Sequence, residues 1–288
     1  MTEEKIGNSL YSPTRRGQGG LGLIPNLFTL LNLLLGCMAI VFILQPGESI
    51  VQLDDEGAAQ VFLPERIWWG ALCIYAAAAV DFLDGFFARM LKASSEMGKQ
   101  LDSLSDVVSF GVAPGCILYQ LLRAGFAQEE GGLDVSMASL FPAFIYSGAV
   151  AWRLATFNIS TTQTHSFLGV PSPAAGLVVA SFPLIIFYQY FGLQQWFINP
   201  YVLYAVIAVL SYLLVCKRRF LAIKFLDFSL RNNALKYGLL AAGLVLAAVF
   251  KWLAVPLIFA AYLIASAFSK EEATPVVTGT AASADITV

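Results

Sequence analysis

The sequence predicts an all-α, polytopic membrane bundle of about eight transmembrane helices, a six-helix core followed by a C-terminal pair. Three observations carry this. Of the 288 residues, 58% are hydrophobic and only 12% are charged, roughly half the ~25% charged residues of a soluble domain. Apolar runs recur at about the ~20 residues that a bilayer requires. Lys and Arg gather on alternate connections between these runs, as the positive-inside bias demands.

Taken in order, residues 1–23 form a polar segment without the apolar stretch of a cleaved signal peptide. The expected spans run roughly 24–45, 66–91, 101–123, 138–157, 171–192, 199–217, 235–250 and 252–269. The first carries Asn26, Thr29 and Asn32 near its start. These either line a pocket or serve as caps and interhelical hydrogen bonds. The fourth contains Arg153, and Pro171 and Pro173 start the fifth. The sixth leads into a basic loop with Lys217, Arg218, Arg219, Lys224, Arg231 and Lys236. The last two spans are close enough to form a helical hairpin with Lys251 and Trp252 at the turn. Residues 270–288 read as a disordered tail. One membrane domain over 24–269 is expected, with no repeat. The cation bias puts both termini in the cytoplasm, and acids such as Asp54, Asp55, Glu129 and Glu130 lie on the opposite loops.

Composition excludes several classes. The net charge of -2 offers nothing to nucleic acid. Cys37, Cys73, Cys116 and Cys216 have the spacing of neither a disulfide framework nor a zinc site. The single histidine, His165, gives little support to a Ser-His-Asp arrangement.

The stretch DFLDGFFARMLKASSEMGKQLDSLSD concentrates the chemistry. Asp81 and Asp84 are spaced i,i+3, and Asp102 and Asp106 i,i+4, so each pair shares a helix face. Ionisable groups beside membrane-grade runs are costly and read as functional. Four acids so placed repel one another, and hard divalent cations with oxygen ligands relieve that. A buried salt-bridge network is the plainer reading. Asp84 lies ~10 Å short of the cytoplasmic end of the second span at 1.5 Å per residue. That is the depth of lipid headgroups. Gly85 and Ala88 allow close approach of a ligand or helix. Arg89 offers its fork to phosphate, or snorkels to the interface. Gly98 is expected in the turn between the two helices, either packing against a base or as a plain turn glycine.

Asp81, Asp84, Gly85, Ala88, Arg89, Gly98, Asp102 and Asp106 fill D-x2-D-G-x2-A-R-x8-G-x3-D-x3-D. This pattern resembles the signature of the CDP-alcohol phosphatidyltransferase family. The resemblance implies that the four aspartates hold two divalent metals, Mg2+ or Mn2+ with Ca2+ an option at one site. It implies that Asp106 is also the general base, and that Asp84, Gly85, Ala88, Arg89 and Gly98 bind the CDP-linked lipid. Further blocks, PNLFTLLNLLLG, SFGVAPG, RLATFN, FLGVPSPAAG and LLVCKRRFLAIK, resemble the serine-accepting branch of the family. Thr156 stands where that branch more often has a second arginine. The implied reaction joins CDP-diacylglycerol and L-serine to give phosphatidylserine and CMP, in a homodimer in a bacterial inner membrane. Serine carries a carboxylate that needs a cation. Arg153 is the first candidate, since an arginine within a span needs a partner, or else it neutralises the acids or a lipid phosphate. Arg219 and Lys224 are weaker candidates in a loop that also marks topology and attracts anionic lipid. Another acceptor alcohol (glycerol 3-phosphate, inositol phosphate or choline) is the nearest alternative. A cation transporter is the alternative of a different class, disfavoured because the acids lie near one face and not at the midplane.

Overall fold

A computed structural model describes residues 23–45, 51–53, 59–61, 63–91, 95–128, 135–159, 169–189, 192–218, 220, 243 and 245–268. Helices dominate. Among the described residues, the one departure from all-α architecture is a small antiparallel hairpin, β1 (Val51–Leu53) with β2 (Ala59–Val61), in the connection after the first span.

α1 (Leu23–Leu44) and α2 (Ile67–Met90) lie antiparallel and make the most extensive helix pair. Gly70 permits this. A Cβ there would sit 2.9 Å from the Ala39 carbonyl oxygen, so any larger residue would push the helices apart. At the other end of the pair, Thr29 meets Asp84.

The third segment is the axis of the molecule. It runs unbroken over Glu96–Phe126 as α3 (Glu96–Asp106), a π-helical turn (Val107–Val112) and α4 (Ala113–Phe126). Its most apolar window is 72% buried within the protein, against 28% for each of the first two spans. The others wrap around it. The segment begins five residues earlier than the sequence reading placed it, because Ser95 caps it. Ser95 has extended backbone, and its Oγ accepts from the Gly98 backbone N–H at 3.0 Å. Gly98 is therefore in the first turn of α3, which corrects its expected place in the inter-helix turn.

The π turn arises where a proline in the segment meets donors from another helix. Pro114 has no N–H to return to the Phe110 carbonyl four residues earlier. Tyr146 supplies the missing donor, its hydroxyl bonding Phe110 O at 2.9 Å. Ser147 Oγ donates to the neighbouring Gly111 O at 2.9 Å. Both come from α6 (Ala143–Ile159), which follows a single turn, α5 (Met137–Leu140).

α7 (Ser172–Tyr188) starts at the expected prolines and ends at Gln189 in the left-handed region, φ 49°. After the short α8 (Gln194–Ile198), the Asn199 side chain caps α9 (Pro200–Val215), accepting from the N–H groups of Tyr201 and Val202. The core is built from Phe110, Ile117, Leu121, Tyr146, Val179 and Ile185, which join the π turn, α4, α6 and α7.

Pro25–Leu44, Ile67–Met90, Glu96–Phe126 and Val245–Ser266 are long and apolar enough to cross a membrane, and α7 and α9 are shorter apolar helices. The last of the four is not one straight rod. Lys251 has φ 51°, and a Cβ on Gly243 would lie 3.6 Å from Ile258. Fifteen residues of straight helix would separate those two by roughly 22 Å. The chain therefore folds back at Lys251, into α10 (Ala254–Phe268), in keeping with the expected hairpin. Most of the seventh span, the N-terminal segment and the tail lie outside the described residues.

Candidate active site

The acids meet where α1, α2 and α3 converge. One carboxylate oxygen from each of Asp81, Asp102 and Asp106 lies within 4.8 Å of the others. Asp81 and Asp102 are partly buried and Asp106 is buried. Asp84 is also buried, and its Oδ2 accepts from Thr29 Oγ1 at 3.0 Å. It stands outside the three-oxygen group but interacts electrostatically with Asp81, Asp102 and Asp106.

The spacing explains the convergence. Asp81 and Asp84 look out from the last three turns of α2, while Asp102 and Asp106 look back from α3. α1 closes the third side with polar groups at three-residue intervals. Asn32 Nδ2 donates to Asp106 Oδ1 at 3.2 Å. Ser105 Oγ donates to Thr29 O at 3.1 Å, and Ser109 Oγ to Asn32 O at 3.0 Å. A Cβ on Gly36 would collide with Ser109, so glycine lets α1 lie directly on the π turn. Of the two readings for Thr29 and Asn32, interhelical bonding is the one the geometry displays. Ser105, Ser109 and Tyr146 escaped sequence reasoning. Their only signal is a hydroxyl at a buried position in an apolar run.

The donor set fits a divalent cation. Three carboxylates offer hard oxygen ligands in a small volume. Asp102 Oδ1 is buried without a hydrogen-bond partner among the described residues. Such an acceptor is costly to leave alone, and a cation satisfies it.

The remaining motif positions frame this cluster. A Cβ on Gly85 would meet nothing within 4 Å, so α2 presents bare backbone to open space beside Asp84. Ala88 is half-buried and Arg89 is exposed on the next turn. Gly98 faces α1, where a Cβ would lie 2.9 Å from Asn26 Oδ1. Phe28 and Phe87 stack nearby with centroids 5.1 Å apart.

Arg153 approaches from α6. Its Nη1 donates to Ser172 Oγ at 3.2 Å, and its buried Nε has no partner among the described residues. It interacts electrostatically with Asp106. Among the described residues its hydrogen bond is thus to Ser172, with Asp106 within electrostatic range. Arg219 and Lys224 lie outside the described residues. Thr156 is exposed and bonds back to Trp152 O at 2.8 Å in its own helix. Two residues on, Asn158 ties α6 to α3, its Nδ2 donating to Ser103 Oγ at 2.9 Å.

Known proteins resemble this chain in sequence over the region that holds the site. Helicobacter pylori strain J99 has a CDP-diacylglycerol–serine O-phosphatidyltransferase that is 36% identical over 161 residues, 55% of this chain and 56% of that protein. The enzyme of that name from Bacillus subtilis strain 168 is 32% identical over 163 residues, 57% of this chain and 80% of its own length. The Methanocaldococcus jannaschii protein of that name is 34% identical over 142 residues, 49% of this chain and 58% of its own. The match thus spans a little over half the length of the Helicobacter relative. The sequence model of the CDP-alcohol phosphatidyltransferases covers residues 22–211. It takes in every acid of the cluster, the three helices that hold them and Arg153, and on that extent of agreement the chain belongs to the CDP-alcohol phosphatidyltransferase family.

Proposed function

We propose that the protein transfers the phosphatidyl group of CDP-diacylglycerol to L-serine, releasing CMP. The observation that carries this is the meeting of Asp81, Asp102 and Asp106 within 4.8 Å. The names of the relatives favour serine as the acceptor.

Asp81, Asp84, Asp102 and Asp106 would hold two divalent cations. Such ions draw charge from the pyrophosphate oxygens and from the departing phosphate. The protein's own groups do the rest. The open backbone at Gly85, with Ala88, Arg89 and Gly98, receives the CDP portion. Arg153 pairs with the serine carboxylate, a role supported by its buried Nε and its reach toward Asp106. The serine hydroxyl oxygen forms the new P–O bond to the phosphatidyl phosphorus, and the bond to the CMP oxygen breaks. Asp106 takes the hydroxyl proton. A carboxylate with a reference pKa of about 3.9 is a weak base, so positioning and electrostatics supply most of the rate. The cation bias of the loops supports an orientation with this site on the cytoplasmic side of a bacterial inner membrane.

The test is an acceptor panel. Purified protein, CDP-diacylglycerol and Mn2+ or Mg2+ are incubated with serine, glycerol 3-phosphate, inositol phosphate or choline, and CMP release is measured. CMP release with serine alone is the expected result. Release with a different alcohol alone reassigns the acceptor, and no release with any of them removes the reading.

A further inference from the structure

We propose that Asn32 is a working member of the acidic site. Its amide nitrogen fixes the orientation of Asp106, and its carbonyl oxygen is a neutral ligand for a divalent cation held there. This rests on the metal reading above and extends it to a residue outside the aspartate motif.

Asn32 is wholly buried, 0% exposed, on the face of α1 that meets α3. Its Nδ2 donates to Asp106 Oδ1 at 3.2 Å. A carboxylate is an acceptor, so this contact fixes which end of the amide faces Asp106. One Asp106 oxygen is thereby occupied, and the other is left for the chemistry. The Asn32 Oδ1 atom is the second observation. It is inaccessible to solvent and has no hydrogen-bond partner among the described residues. Buried acceptors in that condition are exceptions that call for an explanation. Packing alone does not provide one, because an apolar residue of similar size would fill the space without stranding an oxygen. Asp102 Oδ1 shares the condition in the same cluster. The stranded amide oxygen and three converging carboxylates, Asp102 among them, make a consistent set of hard ligands for one cation.

The residue is also held in place by its backbone. Its carbonyl accepts from Ser109 Oγ at 3.0 Å, and one turn earlier Thr29 O accepts from Ser105 Oγ at 3.1 Å. Ser105 and Ser109 flank Asp106 on the other helix. Asn32 and Asp106 are thus fixed on two backbones bonded to each other on both sides of the contact.

Two substitutions separate the two roles. Asn32→Leu removes donor and oxygen, whereas Asn32→Asp keeps an oxygen and removes the N–H. Full-length protein in lipid nanodiscs is titrated with Mn2+ by electron paramagnetic resonance, and kcat and the KM for CDP-diacylglycerol are measured in parallel. Asn32→Leu should bind Mn2+ more weakly by about 10–100-fold, the range for groups that support a metal site. Asn32→Asp should keep wild-type or tighter Mn2+ binding yet lose about 10–100-fold in kcat with the lipid KM little changed. A purely structural role would lower stability and both readouts together. Wild-type Mn2+ affinity in folded Asn32→Leu overturns the ligand role, and wild-type kcat in Asn32→Asp overturns the positioning role. The aspartate variant alone decides the latter if the leucine variant does not fold. Absence of Mn2+ binding in the wild type is a separate result, which removes the metal reading itself.

Discussion

Asp106 has one oxygen bonded to Asn32 and lies beside Asp81 and Asp102. Base and metal ligand are therefore separable roles at this residue. If it takes the serine proton, Asp106→Asn cuts turnover by about 10²–10⁴-fold, the usual range for general-base loss. Turnover then stays low at saturating Mn2+, while recovery to the wild-type rate would leave Asp106 as a ligand only. Asp81→Asn and Asp102→Asn belong to the same scale but predict another pattern. Each should abolish turnover in folded protein and weaken Mn2+ binding in direct titration, and unchanged metal affinity would remove those two as ligands. Arg153 is tested by Arg153→Lys, which keeps the charge and loses the fork. Nη1 already holds Ser172, so the rest of the fork is what serine would use. The KM for serine should rise far more than that for CDP-diacylglycerol. A rise in the lipid KM instead would make Arg153 a phosphate ligand.

The π turn is the element that joins the acidic site to the buried half of the third segment. It follows Asp106 directly, and its length sets how α4 leaves the acidic cluster. Single π turns inside α-helices mark functional places in many proteins. Here Pro114 withholds an N–H, and Tyr146 and Ser147 bond the carbonyls of the turn from α6. Tyr146→Phe leaves the buried Phe110 carbonyl without that donor. A loss of about 1–3 kcal/mol in stability is expected, the cost of an unsatisfied buried acceptor. Thermal unfolding in detergent measures it. An unchanged unfolding temperature would show that the turn satisfies itself through its backbone.

At the scale of the whole molecule, α3–α4 is buried by the helices around it, and the C-terminal hairpin lies outside that core, its window only 6% buried. The orientation proposed above, which rests on the cation bias of the loops, puts the α2–α3 connection and both termini on the cytoplasmic side. In a cysteine-free background, a cysteine at Ser94 should resist labelling from outside intact cells, while one at Asp55 or Glu130 should label. Labelling at Ser94 from outside would invert the orientation and move the site to the opposite face.

The class of fold, the family signature and the acids themselves are readable in the chain alone. These depend on properties local to the chain. Hydropathy over twenty residues marks a span, and i,i+3 and i,i+4 spacing puts side chains on one face. Pro171 and Pro173 starting α7, and the reversal at Lys251, were legible for the same reason. Whatever depends on contacts between distant segments emerges only with packing. Three acids share one small volume while Asp84 turns to Thr29, because α1 lies against both α2 and α3. Gly98 belongs to the first turn of α3 because Ser95 caps it. The π turn exists where Pro114 meets hydroxyls 32 and 33 residues further along the chain. In the sequence Asn32 is one more polar residue near a helix start; in the fold one amide atom meets Asp106 and the other has no hydrogen-bond partner among the described residues. Spacing along one helix fixes a face, but which groups from other helices meet that face is set by packing, and no local pattern encodes it.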